Sequence, residues 1–284
     1  MPQTLFNKDC GLLTHPSSLP NHFGIGDFGP SSIEWIEALA SHGQNTWQIL
    51  PLNPAGYGDS PYQGLSAFAA NPVFISPEDL NARGLIDESE LMALQMPLVE
   101  RVDYAQVYSN KAELTTRAAL QFFSLDTEHP LRVEYNAFCQ AENNWLIAFG
   151  LFSALKANFG GVAWTDWPAK YRDRDAVALE NISIKLKSDI ERVYFEQFIL
   201  RLQWTNVQEH ARELGIRLVG DLPIFVAHDS ADVWCKRELF RLNSDGSPIV
   251  MAGVPPDYFS STGQLWGNPL YDWDAHRSDR YAWW

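Results

Sequence analysis

Asp257, Tyr258, Trp266 and Asn268 stand among prolines and glycines in one segment, Gly253 to Tyr271, whose composition predicts neither an ordinary strand nor an ordinary helix. Prolines remove backbone donors and glycines permit positive φ, while aromatic faces stack on flat ligands and carboxylates or carboxamides hydrogen-bond hydroxyls. The set therefore suits a shaped binding loop. A long connection whose aromatics simply pack beneath it is the other reading, and the aromatic content argues against disorder. Asp221 lies between a β-forming run and Pro223. It could cap a helix or pair with a cation, but a carboxylate at the carboxyl end of a strand favours a site role. Tyr57, Asp59 and Tyr62 fall in a third irregular stretch, Gly56 to Gln63, where Tyr62 either packs or faces a ligand and Asp59 could merely end a turn. His228 and Asp229 have the chemistry of an acid-base or metal pair, but adjacent residues on a helix do not both face one ion, which leaves Asp229 a capping role. His15, just before Pro16, either lines a cleft floor or is a satisfied core histidine.

The chain has 284 residues, 46% of them hydrophobic, enough for one large domain or two smaller ones. A net charge of -14, with 21 basic residues scattered along the chain, disfavours nucleic acid and anionic membranes as partners. Cys10, Cys139 and Cys235 show no metal-binding spacing and leave one over from any pair, which fits a reducing cytoplasm. Asn7, Lys8 and Asp9 interrupt the first apolar stretch, so no signal peptide is expected, and no apolar run approaches the roughly 20 residues that span a bilayer. Neither a nucleotide-binding glycine motif nor a metal cluster is visible, so no cofactor is expected. The 11 tryptophans suit either sugar stacking or an aromatic-rich core.

Gly11 to Leu13 is predicted to be a short buried strand. It is followed by a helix opened by Pro30 with a Ser31-to-Glu34 capping-box spacing and closed by Gly43. Thr46 to Leu50 is a second strand, completing a βαβ unit. From Pro77 helical periodicity prevails, with segments from Asn144 to Phe159 and from about Ile184 to Leu214. A third strand is expected over Ile216 to Val226, then a short helix around Ala231 to Phe240 and a hairpin turn at Asn243 to Pro248. Four regions follow: 1–76 with the first barrel strands and helix, 77–214 as a mainly helical inserted subdomain, 215–242 with the third barrel strand and its helix, and 243–284 as a substrate-covering loop and barrel continuation. Tyr281-Ala282-Trp283-Trp284 reads as the inside of a helix, so the chain is expected to be a fragment.

Six motifs carry a resemblance to a known family: Leu12 to Pro20, Gly24 to Pro30, Trp47 to Leu52, Gly56 to Gln63, Gly220 to Ala227, and the Gly253 to Tyr271 segment. In this order they resemble the amino-terminal half of the 4-α-glucanotransferases, the amylomaltase or disproportionating-enzyme family. The resemblance implies an α/β fold, a partial (β/α)8 TIM barrel with its first three strands visible and a large helical insertion. It implies a cytoplasmic enzyme of starch, glycogen or maltooligosaccharide metabolism that acts on α-1,4-glucans by retaining double displacement. The family's nucleophile lies in an Arg-Ile-Asp-His-Phe-Arg-like motif and its acid in a Glu-Asp-Leu-Gly-like motif; neither occurs here, so no catalytic residue is assigned. Asp221 matches a carboxylate at the end of the third barrel strand and Tyr62 a tyrosine of the donor-side cleft. Asp257, Tyr258, Trp266 and Asn268 match the loop over the acceptor side, and Tyr57 a tyrosine of a secondary glucan groove. A glucan hydrolase and a non-catalytic glucan-binding module are the competing readings.

Overall fold

The computed structural model describes residues 9–284, which divide into two compact units. One holds the described residues up to Leu52 with Ala70–Ala141 and Tyr194–Leu222; the other holds Asn53–Ala69, Glu142–Val193 and Pro223–Trp284. The mainly helical stretch 77–214 contributes to both. In chain order the elements are β1 (Gly11–Leu13), α1 (Pro30–Ser41), β2 (Thr46–Gln48), α2 (Pro77–Ala82), α3 (Glu88–Leu94), α4 (Tyr104–Ser124), α5 (Pro130–Ala141) and α6 (Asn143–Asn158). Then come α7 (Ala169–Arg172), α8 (Ala176–Lys185), α9 (Lys187–Glu213), β3 (Arg217–Val219), α10 (Ala231–Cys235), β4 (Met251–Val254), β5 (Gln264–Pro269) and α11 (Trp273–Ser278). None of the helices among the described residues is long and apolar enough to cross a membrane.

The first unit is built on a parallel sheet of order β1-β2-β3, with Leu12 opposite Trp47 and Trp47 opposite Leu218. Only β2 has a neighbour on each side, and its Trp47 is fully buried with the indole Nε1 donating to Thr14 O at 2.7 Å. Strand β1 is not buried as expected: Leu12 and Leu13 are 46% and 56% exposed, because β1 is a sheet edge and these side chains lack an opposing layer. The third strand stops at Val219 rather than reaching Val226, since Gly220 and Pro223 interrupt it and Pro223 has no N–H for a ladder. The capping box at Ser31 and Glu34 does not form. Helix α1 starts one residue earlier, with Pro30 at its first position, while Asp27 accepts from the Gly29 N–H (3.1 Å) and its carbonyl accepts from Ser32 Oγ (2.5 Å). Gly43 ends this helix at φ 70°, as the sequence predicts.

In the second unit Phe152, Trp164, Val233 and Trp234 are fully buried and Trp167 nearly so. These tryptophans satisfy the aromatic-core reading, whereas Trp266 and Trp273 remain 43% and 52% exposed. The turn at Asn243 to Pro248 closes through the Asn243 N–H on Ser247 O and the Ile249 N–H on Arg241 O, but makes only one bridge, Leu242 with Pro248. The longer ladder lies further on, where β4 and β5 pair antiparallel with an irregular register between Met251 and Gly253. This corrects the expectation that Gly253 to Tyr271 holds no strand. Pro269 is tolerated because it closes a two-stranded ribbon, and Gly253 is required because a Cβ there would sit 2.6 Å from Gln264 O.

Candidate functional site

The β4–β5 ribbon of the second unit presents its tip through local hydrogen bonds. Asp257 Oδ1 accepts from the N–H groups of Phe259 (2.9 Å) and Ser260 (2.8 Å), and Ser260 Oγ donates to Gly263 O (2.7 Å). Asp257 thus folds the tip on itself, an Asx-type turn that orders the backbone without a core beneath it. The consequence is that Tyr258 and Phe259 stand 97% and 88% exposed, with rings perpendicular at 5.6 Å. Adjacent aromatics held out in this way mark a contact surface. Phe259 was not singled out by sequence, although its adjacency to Tyr258 was a usable signal. Trp266 on β5 is half-exposed, its Nε1 donating to Gln264 Oε1 (3.2 Å) and its ring meeting Phe225 edge-on.

Asn268 is placed differently from a ligand-facing amide. It is 3% exposed; its Nδ2 donates to Val226 O (2.8 Å) and its Oδ1 accepts from Gln63 Nε2 (3.2 Å). Its polar atoms hold the ribbon to the segment after Pro223, where Tyr271 OH also donates to Ile224 O (3.0 Å). Gln63, whose role sequence did not suggest, ends a loop closed at its base by the Gly56 N–H on Gln63 O and the Leu65 N–H on Pro54 O. Tyr62 projects from this loop, 46% exposed, and Asp59 ends its short helical turn at φ 55°. The side chain of Tyr57 lies outside the described part of the structure.

His228 and Asp229 form no metal pair, and no group of three or more His, Cys, Asp or Glu among the described residues could hold a metal ion. Asp229 pairs with Lys156 Nζ at 2.5 Å and accepts from the Trp164 N–H, while His228 Nε2 meets Gly246 O at 2.7 Å. The capping role expected of Asp229 belongs to Ser230, whose hydroxyl accepts from the Val233 N–H at the start of α10.

In the first unit, Asp221 and His15 follow the carboxyl ends of β3 and β1, so both lie at the same edge of the parallel sheet. Asp221 is partly buried. His15 packs edge-on against Phe74 at 5.4 Å, and burial holds its imidazole down at about 4 against an ordinary 6.5. Between these values the unfolded chain takes up a proton at this site and the folded one does not, so folding stability is expected to fall as pH drops from 6.5 to 4. The stability-pH slope of His15→Phe, measured by urea unfolding, should be shallower, by a total on the order of 2–3 kcal/mol across the window. Equal slopes for parent and variant would place the histidine in contact with solvent.

A family model described as 4-alpha-glucanotransferase matches residues 14–284. A 4-alpha-glucanotransferase of Synechocystis is 43% identical over 282 residues, covering 99% of this chain and 56% of the relative. One of Thermus thermophilus is 42% identical over 274 residues, covering 96% and 54%. The chain spans about half the length of the curated relatives it matches. An amylomaltase from Streptococcus agalactiae, solved in complex with acarbose, matches in structure with a TM-score of 0.92 and 36% identity, covering 98% of this chain and 56% of that one. The family expected from the six motifs is therefore the family found, and the chain belongs to the 4-alpha-glucanotransferases.

Proposed function

We propose that this chain works in an enzyme that moves α-1,4-glucan segments between maltooligosaccharides, in the cytoplasm and without a cofactor. The observation that carries the reading is the family match over residues 14–284, joined to a ribbon whose exposed aromatics suit the apolar faces of sugar rings. The parallel order β1-β2-β3, with Asp221 and His15 at its carboxyl edge, supports the start of a (β/α)8 barrel, in which active sites gather at that edge. The exposed Leu13 and Val219 on this sheet are a surface on which further barrel layers would pack. The helices between Pro77 and Leu214 are then the insertion, and the 243–284 region is the substrate cover.

In this reading Tyr62, Tyr258 and Trp266 stack on glucose units, and Asp257 orders the ribbon tip. Asp221 hydrogen-bonds sugar hydroxyls, Asn268 fixes the ribbon, and Tyr57 belongs to a secondary groove. Transfer proceeds by retention: a carboxylate forms a glycosyl-enzyme, and an acceptor sugar resolves it. Tyr62→Ala and Trp266→Ala in the full-length protein should each lower kcat/KM for a maltooligosaccharide donor by about fivefold or more, the loss of one aromatic contact of about 1 kcal/mol. Unchanged kcat/KM in folded variants would take both residues out of the site.

A further inference from the structure

The aromatic surfaces of the second unit come from two segments far apart in sequence, and Gln63 joins them. Its Nε2 donates to the Trp266 carbonyl at 3.3 Å and to Asn268 Oδ1 at 3.2 Å across separations of 203 and 205 residues. A primary amide has two N–H donors, so both are committed. Asn268 Nδ2 is itself committed to Val226 O at 2.8 Å, which fixes the orientation of that amide and leaves its oxygen, an acceptor, facing Gln63. At the other end, Gln63 is locked to its own loop by the Gly56 N–H on its carbonyl and by the Ala55–Gly64 bridge. Gly64 leaves no room for movement there, because a Cβ would sit 1.7 Å from Asn53 Nδ2. A rigid loop base, one side chain and a rigid strand thus form a continuous connection between Tyr62 and Trp266.

We propose that Gln63 is a positioning residue: its carboxamide sets the spacing of the Tyr62 loop and the Trp266 strand, and so the fit of one glucan chain to both aromatic faces. The proposal rests on the glucanotransferase reading for the ligand, but not for the connection itself. The needed property is donation, not bulk. A carboxylate of equal size would bring a third acceptor against the Trp266 carbonyl and Asn268 Oδ1, whereas an ammonium would restore donors to both.

The test compares Gln63→Glu, Gln63→Met and Gln63→Lys in the full-length protein, each checked for an unchanged melting temperature. Disproportionation of maltotriose is followed in parallel with amide hydrogen exchange over residues 56–64 and 264–269. Gln63→Glu is expected to lower kcat/KM roughly tenfold or more, Gln63→Met less, and Gln63→Lys least, with the loss falling mainly on KM. Exchange should quicken in both segments together for the first two variants and stay near the parent's for the third. Equal kinetics and equal exchange in all three would overturn the proposal, and so would a loss that follows side-chain volume instead of donor capacity. Should the parent enzyme show no transfer at all, the glucan reading fails, while coupled exchange in the two segments still decides whether Gln63 is the connection.

Discussion

Incubated with maltotriose, these 284 residues by themselves are expected to yield neither glucose nor longer oligosaccharides. Retaining transfer needs two carboxyl groups about 5 to 5.5 Å apart across one glycosidic bond, one ionised to attack and one protonated to donate. Neither catalytic motif of the family occurs in the sequence. The carboxyls whose geometry is clear are committed elsewhere. Asp257 is held by the N–H groups of its own turn, Asp229 by Lys156 and Trp164, and Asp232 by the Ala67 N–H and Trp283 Nε1. A general acid also needs its proton retained near neutral pH. Burial pushes Asp27, Glu78 and Asp232 upward, but Asp27 and Asp232 are enclosed in the interior and Glu78 accepts from Ser76 Oγ in the first turn of α2. Chromatography of the reaction mixture decides the matter. Enzyme-dependent glucose together with longer products, from a preparation of this mass alone, would make Asp221 or Asp257 the nucleophile to examine.

The elements legible in the sequence were those set by local chemistry. Gly43 and Gly215 stop helices in left-handed geometry, and the Gly160-Gly161 pair, with φ of 70° and 80°, ends α6 after a start within one residue of that expected. What stayed hidden depended on partners distant in sequence. A single strand cannot show whether its neighbours will cover it, and so β1 looked buried and β3 looked long. The β4–β5 pairing was masked because Pro255, Pro256 and Gly263 belong to the turn between strands, while Gly253 and Gly267 lie within them, and composition does not separate these roles. The same limit applied to the site. Tyr258 and Trp266 carry a recognisable chemistry wherever they fall, but Gln63 and Asn268 acquire theirs only when residues two hundred positions apart meet. The Gly24 to Pro30 motif was visible as a motif, yet its physical reason was not, since the partner of Asp27 is 84 residues away on α4.

That partner, Lys111, carries the other large expected effect: Lys111→Met should destabilise the first unit by about 3–5 kcal/mol, lowering its melting temperature by on the order of 10 °C. Asp27 is fully buried and Lys111 nearly so, with Nζ 3.2 Å from Asp27 Oδ2 and also donating to the Ile75 carbonyl. Burial pushes the Asp27 carboxyl up and the Lys111 amine down, and each partner's charge opposes the shift of the other. Methionine fills the space of the lysine stem but leaves a carboxylate without a cation and a carbonyl without a donor. The damage has a defined location, because Asp27 also accepts from the Gly29 N–H and from Ser32 Oγ, fixing the start of α1. Close packing leaves this segment no alternative path: a Cβ on Gly26 would sit 2.0 Å from the Pro16 carbonyl. The sign of the pH dependence follows from the same account. Without Lys111 the folded-state carboxyl is raised further above its unfolded value, so the folded variant binds a proton that the unfolded chain does not, and its deficit against the parent should shrink as pH falls. Asp27→Leu combined with Lys111→Met should recover most of the loss, since apolar side chains of similar volume leave no buried charge. Urea unfolding of the parent and the two variants at neutral and acid pH tests each step. A deficit for Lys111→Met that is small at neutral pH, or one that grows toward acid, would mean that Asp27 is already protonated in the parent and that the pair is not ionic.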